Sequence, residues 1–170
     1  MHKIINGCIE VLEQSESFLL SATPSNYRAI TKPYFISSCG EHMRHILDHF
    51  TALMNDYDSG LINYDRRERG SQIETDIKLA KQQIDKIKTW IFSLSTENLE
   101  QPLFIKTEVS VSEKVTAHAG SCLGRELIFS ATHAIHHFSI MSIAMQMQDV
   151  ETDASFGIAP ATQTFIRGTE

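Results

Sequence analysis

An all-α fold, a four-helix bundle with a small β-hairpin inserted before its last long helix, is what this chain predicts, and three observations carry the prediction. Four segments repeat their apolar residues at three- and four-residue steps, the stripe of an amphipathic helix. One short stretch, residues 103–111, alternates with a two-residue period instead. No internal repeat, low-complexity tract or linker divides the 170 residues, and an apolar content of 42% is enough for one core, so residues 1–170 read as a single domain.

The first stripe runs from Lys3 to about Leu20 through Ile4, Ile5, Cys8, Val11, Leu12, Phe18 and Leu19. Thr23-Pro24-Ser25 ends it, because a proline disfavours helical geometry at the residue before it. A connector containing Lys32-Pro33 leads to a second helix from about Ser37 to Tyr57, with Ser37 or Ser38 as N-cap and Met43, Ile46, Leu47, Phe50, Leu53 and Met54 on its apolar face. Residues 58–70 are polar, contain two glycines and read as a loop. The third helix starts near Ser71, where Ser71-Gln72-Ile73-Glu74 has the spacing of a capping box, and reaches about Leu94. After the alternating stretch, residues 114–119 are the expected hairpin partner, and the longest helix follows from about Gly124 to Gln148. The remaining tail offers at best a short helix. Four such helices joined in sequence favour mostly antiparallel neighbours, and bundles of this kind build metal sites from side chains projecting inward.

Composition narrows the function. A net charge of -6 argues against nucleic acid, whose phosphates call for a basic face, and the cluster Arg66, Arg67 and Arg69 is interleaved with Asp65 and Glu68. The N-terminal segment has no secretory pattern, and no window reads as a membrane span. Cys8, Cys39 and Cys122 are odd in number and widely spaced, which fits buried free thiols and a cytoplasmic chain.

The chemistry lies in the histidines. His133 and His137 stand four residues apart on the last long helix and therefore share one of its faces. His45 and His49 form a second such pair on the second helix. Burying neutral imidazoles without partners costs several kcal/mol, which coordination to a metal relieves. His133 and His137 are therefore expected to ligate a divalent transition metal, with His45 as the third ligand: zinc first, nickel or iron as alternatives. His49 is one turn further along and is a fourth ligand, a hydrogen-bonding partner behind the ligands, or an acid/base group. Glu126 lies two turns before His133 on the same face and is a candidate proton shuttle; it, Asp48 and the run Tyr64-Asp65-Arg66-Arg67 are also candidate partners of the imidazoles. His136 points about 100° away from His137 around the helix. His42 is expected near the rim, and His2 and His118 are expected to have no part in the site.

The segments HMRHILDHF and, some ninety residues later, HAIHH resemble the DinB/YfiT-like group of bacterial metalloenzymes, a resemblance that extends over about residues 1–160. It implies an up-down-down-up four-helix bundle, usually a homodimer, that holds a divalent metal on three histidines corresponding to His45, His133 and His137. Members with an assigned activity are thiol S-transferases using low-molecular-weight thiols such as bacillithiol or mycothiol, or hydrolases and isomerases. In that group the last ligand is often followed by Arg-Gly-Gln, whereas here His137 precedes Phe138-Ser139-Ile140.

The expected function is thus that of a metal-dependent transferase or hydrolase acting on a small molecule, with a low-molecular-weight thiol as one candidate, an ion that supplies a nucleophile at neutral pH, and His49 or Glu126 moving the proton. The loop from Tyr64 to Arg69 is a candidate lid. The competing expectations are a non-catalytic dimeric metal-binding or stress-response module, and a metal sensor or carrier.

Overall fold

All four apolar stripes are helices in the computed structural model, which describes residues 2–168. Helix α1 (Lys3–Ser21) buries Ile5, Cys8, Val11, Leu12, Phe18 and Leu19, the stripe expected of it. Pro24 ends that helix and also opens another: α2 (Pro24–Arg28) has the proline in its first turn, where its missing N–H is not needed, and Thr23 and Asn26 cap each other's backbone N–H. Helix α3 (Cys39–Asp56) is capped by Ser38, whose hydroxyl accepts from the Glu41 N–H while the Glu41 carboxylate accepts from the Ser38 N–H.

Two expectations fail between residues 57 and 77. The loop contains a short strand, β1 (Leu61–Asn63), after a 3-10 turn at Tyr57–Ser59. Ser71 makes no capping hydrogen bond and begins only a 3-10 turn, Gln72–Glu74. The third long helix, α4 (Ile77–Phe92), starts later and is capped by Asp76. Glu74, which a capping box would have turned back on Ser71, instead accepts from the Arg44 guanidinium at 2.9 Å and from the Gly70 N–H at 2.9 Å. A charged partner outcompeted the local cap.

A short α5 (Thr96–Glu100) precedes the predicted hairpin, β2 (Pro102–Glu108) and β3 (Thr116–Cys122). β1 extends it to a three-stranded sheet in the order β1-β2-β3, pairing parallel to β2 with Ile62 opposite Ile105; β2 and β3 are antiparallel with Phe104 opposite Gly120. Cys122 ends β3 and is also the N-cap of α6 (Leu123–Gln146), so the sheet runs directly into the longest helix. The tail ends in α7 (Pro160–Arg167).

The protein is mostly helical with this small sheet at one side. Helices α1 and α3 each pack against both α4 and α6. Leu12, Phe50, Ile84, Ile87, Leu127 and Phe138 meet in the core with no exposed surface. Phe156 stacks on Phe138 and Phe18 with ring centroids at 4.7 and 5.2 Å, which fastens the segment before α7 to α1 and α6. Cys8 and Cys39 are buried free thiols, and burial pushes their pKa values up to about 12 and about 11, as inert small core residues rather than nucleophiles.

Helix α6 corrects one reading of the sequence. Its length and a mean hydropathy of 1.2 are sufficient for a membrane span, although 44% of that apolar window is buried within the fold. A core helix packed on α1, α3 and α5 has the same composition, and α6 also carries Arg125, Glu126 and three histidines.

Gly40 marks the tightest packing between α3 and its surroundings. A Cβ there would collide with the backbone carbonyl of Glu74 and come within 2.9 Å of the Tyr27 ring. Gly40→Ala is therefore expected to lower unfolding free energy by about 1–3 kcal/mol, measured by chemical denaturation.

Candidate metal centre

The sequence places the four key imidazoles on facing helices, and the packing of α3 on α6 brings them together. On α3, Ile46, Leu47 and Phe50 enter the core, which leaves His45 half-buried and His49 buried on the flank turned to α6. On α6, Ala134 and Phe138 are buried, and the residue before each, His133 and His137, is half-buried at the edge of that stripe. His133 Nε2 lies 2.9 Å from His45 Nε2 and 3.1 Å from His137 Nε2. His45, His49 and His133 also offer ligand nitrogens that all lie within 4.8 Å of one another. The His49 ring centroid is 4.9 Å from that of His45 and 4.5 Å from that of His133.

Hydrogen bonding alone does not satisfy this arrangement. A neutral imidazole nitrogen is either a donor with one hydrogen or an acceptor with one in-plane lone pair. His133 Nε2 faces two other Nε2 atoms and would have to serve both. The buried Nδ1 atoms of His45 and His49 have no hydrogen-bond partner among the described residues. A cation needs the opposite arrangement, several lone pairs aimed at one point, and nitrogens around one tetrahedral zinc stand about 3.3 Å apart. The donor set and its spacing fit such an ion.

His42 is half-buried and has a part in the cluster that the sequence reading did not give it. Its Nδ1 is 2.9 Å from His137 Nδ1, so with His137 Nε2 turned toward His133 the other nitrogen of the same ring is held from behind. Metal-bound imidazoles ordinarily donate their second N–H to such a partner. His42, His45 and His49 are spaced by three and four residues, so the signal for a third member of the face was present in the sequence. His136 is exposed, His118 is exposed on β3, and His2 accepts from the Ile4 N–H as the N-cap of α1.

The two carboxylates expected behind the imidazoles are engaged elsewhere. Asp48 pairs with Arg44 at 2.8 Å, and Arg44 also pairs with Glu74. Glu126 is 1% exposed and accepts three hydrogen bonds, from Tyr64 Oη at 2.7 Å, Ser121 Oγ at 2.6 Å and Arg125 at 2.7 Å. Tyr64 is the link: its hydroxyl reaches Glu126 while its ring lies 4.9 Å from the His49 ring. Phe129 stacks on His133 at 5.7 Å and carries the Arg125 guanidinium at 5.2 Å on its ring.

Beside the histidines lies a cavity of about 390 Å³, bounded by His45, His49, His133, Tyr64, Glu126 and the two arginines Arg67 and Arg125. Of the loop expected to form a lid, Tyr64 is buried and only the part from Asp65 onward is exposed. The size falls within the range of small-molecule sites.

No family model matches the chain, and no solved structure matches it significantly. Among curated proteins, FK506-binding protein 5 of Rhizopus delemar is 34% identical over 108 residues, a stretch that makes up 63% of this chain and 28% of that protein. The match therefore covers less than a third of that relative's length.

Burial lowers the pKa values of His45, His49 and His137 to about 3, with smaller contributions from neighbouring imidazoles and, for His45 and His49, from Arg67. In the metal-free chain, unfolding exposes these rings and returns them to their usual value near 6.5. Between those two values the unfolded chain binds more protons, so stability rises with pH across this window and is lost as pH falls through it. Denaturation midpoints of metal-free protein are expected to be level above about pH 7 and to fall steadily toward pH 3. Tyr64→Phe removes one of the three donors to buried Glu126, with an expected loss of about 1–3 kcal/mol in the same assay.

Proposed function

We propose that this chain is a divalent-metal-dependent enzyme acting on a small molecule, with a zinc-like ion held by imidazoles of α3 and α6. One observation carries the reading: four histidines on two facing helices turn toward one another, three of them on the wall of a cavity, in an arrangement that hydrogen bonds between neutral rings leave unsatisfied. The resemblance of HMRHILDHF and HAIHH to DinB/YfiT-like proteins supports it from a separate direction, and with it an up-down-down-up four-helix bundle, a homodimer and a reducing, cytoplasmic setting. Helices α1, α4, α3 and α6, each packed on two of the others, have the contacts such a bundle requires.

In this proposal His45, His133 and His137 are the ligands, and His42 holds the far nitrogen of His137. A bound zinc-like ion supplies Lewis acidity, lowering the pKa of a water or thiol toward neutrality. His49, buried with an Nδ1 that is unpartnered among the described residues and lining the cavity, is the group placed to hydrogen-bond a molecule bound there. Glu126 acts at one remove, fixing Tyr64 against His49 through its hydroxyl. A low-molecular-weight thiol is one substrate class compatible with this chemistry.

The cavity favours this over a purely structural metal, since structural sites close all four positions with protein ligands. Elemental analysis of protein purified without a metal-affinity tag is expected to show one divalent ion per chain in the parent and in His49→Ala. His45→Ala, His133→Ala and His137→Ala are expected to lose it, and a chelator is expected to lower the parent's melting temperature. A metal-free parent whose melting ignores the chelator overturns the reading.

A further inference from the structure

We infer that the cavity beside the histidines receives a small molecule bearing a carboxylate or phosphate group, gripped by Arg67 with Arg125 also on the cavity wall, while the rest of the molecule faces His49 and His133. For its catalytic end this rests on the metal reading; for its anionic end it rests on the two arginines alone.

The charges around the cavity do not cancel. Imidazoles that ligate a metal do so in their neutral form. Glu126 is the one carboxylate on the wall, and Arg125 already neutralises it at 2.7 Å. Arg67 has no such partner: among the described residues it makes no ion pair, and its Nε donates weakly to the Tyr64 carbonyl at 3.4 Å. Asp48 pairs with Arg44, Asp56 with Arg66, and Asp65 with the Thr107 hydroxyl and the Glu108 N–H, while Glu68, next to Arg67 in the exposed turn, forms no ion pair with it among the described residues. The Arg67 guanidinium is thus left without an ion pair on a wall shared with His45, His49 and His133, and any divalent ion there adds to the same sign. Arg67 bears electrostatically on His45, His49 and His133, as it does on Asp48, which puts its charge within reach of the cluster.

A guanidinium with free N–H groups matches a planar or tetrahedral oxyanion through paired hydrogen bonds. Arg125, braced over Phe129, stands ready to share its remaining donors with the same group. At about 390 Å³ the cavity suits a metabolite-sized acid rather than a polymer end.

The test is calorimetric titration of zinc-loaded and metal-free protein with three probes: succinate, methyl phosphate, and succinamide as the neutral counterpart of succinate. At least one anion is expected to bind, with succinamide about tenfold weaker or worse and with affinity falling as salt rises. Arg67→Gln is expected to weaken the anion about tenfold, and Arg67→Lys to restore part of it, with zinc content unchanged. Arg67 is exposed, so its variants are expected to keep the parent's circular dichroism and melting temperature. Equal binding of succinate and succinamide, anion binding indifferent to Arg67→Gln, or no anion bound at millimolar concentration each overturns the inference. Zinc uptake is read separately on the same samples. A chain that takes up no zinc yet binds succinate through Arg67 overturns only the metal reading.

Discussion

Everything about this site follows from a limit on the imidazole ring: each of its nitrogens holds either a hydrogen or a lone pair, never both. When His133 Nε2 is set within hydrogen-bond range of Nε2 atoms from two other rings, no assignment of hydrogens satisfies both contacts. Burial makes protonation, the other escape, unfavourable, as the lowered pKa values of His45, His49 and His137 reflect. An arrangement that is frustrated for protons and suitable for a cation is a physical argument for a metal, independent of any similarity to other proteins.

The long helices were legible because each carries a sustained stripe, and the stripe is also what buries it. The same reasoning located His45, His49, His133 and His137 on facing surfaces, since a four-residue step is a statement about helical geometry. What escaped was local or depended on the third dimension. Leu61–Asn63 is three residues long, too short to display a period, and exists as a strand because β2 offers it an edge. The Ser71 box had the right spacing, but Arg44, thirty residues away in sequence, drew Glu74 from it. His42 was underestimated because its partner His137 lies on another helix.

Glu126 shows both sides of this. Its position on the histidine face of α6 was readable from a seven-residue spacing, yet the face alone does not name a partner. The structure turns its carboxylate to Tyr64 and Ser121, so it acts on the cluster through the tyrosine ring. The loop from Tyr64 onward likewise divides in two: the tyrosine is an anchor, and Arg67, three residues on, contributes charge to the cavity wall.

The small sheet has a mechanical consequence. The chain leaves α3, pairs as β1 with β2, returns as β3 and enters α6 at Cys122 without a break, so a continuous ladder of backbone bonds ties the two helices bearing the imidazoles. Those helices cannot swing apart at this end unless the ladder unzips. Ile105, Thr107 and Glu126 on the cavity wall belong to that tied frame, whereas Arg67 belongs to the exposed turn that hangs from it after Tyr64.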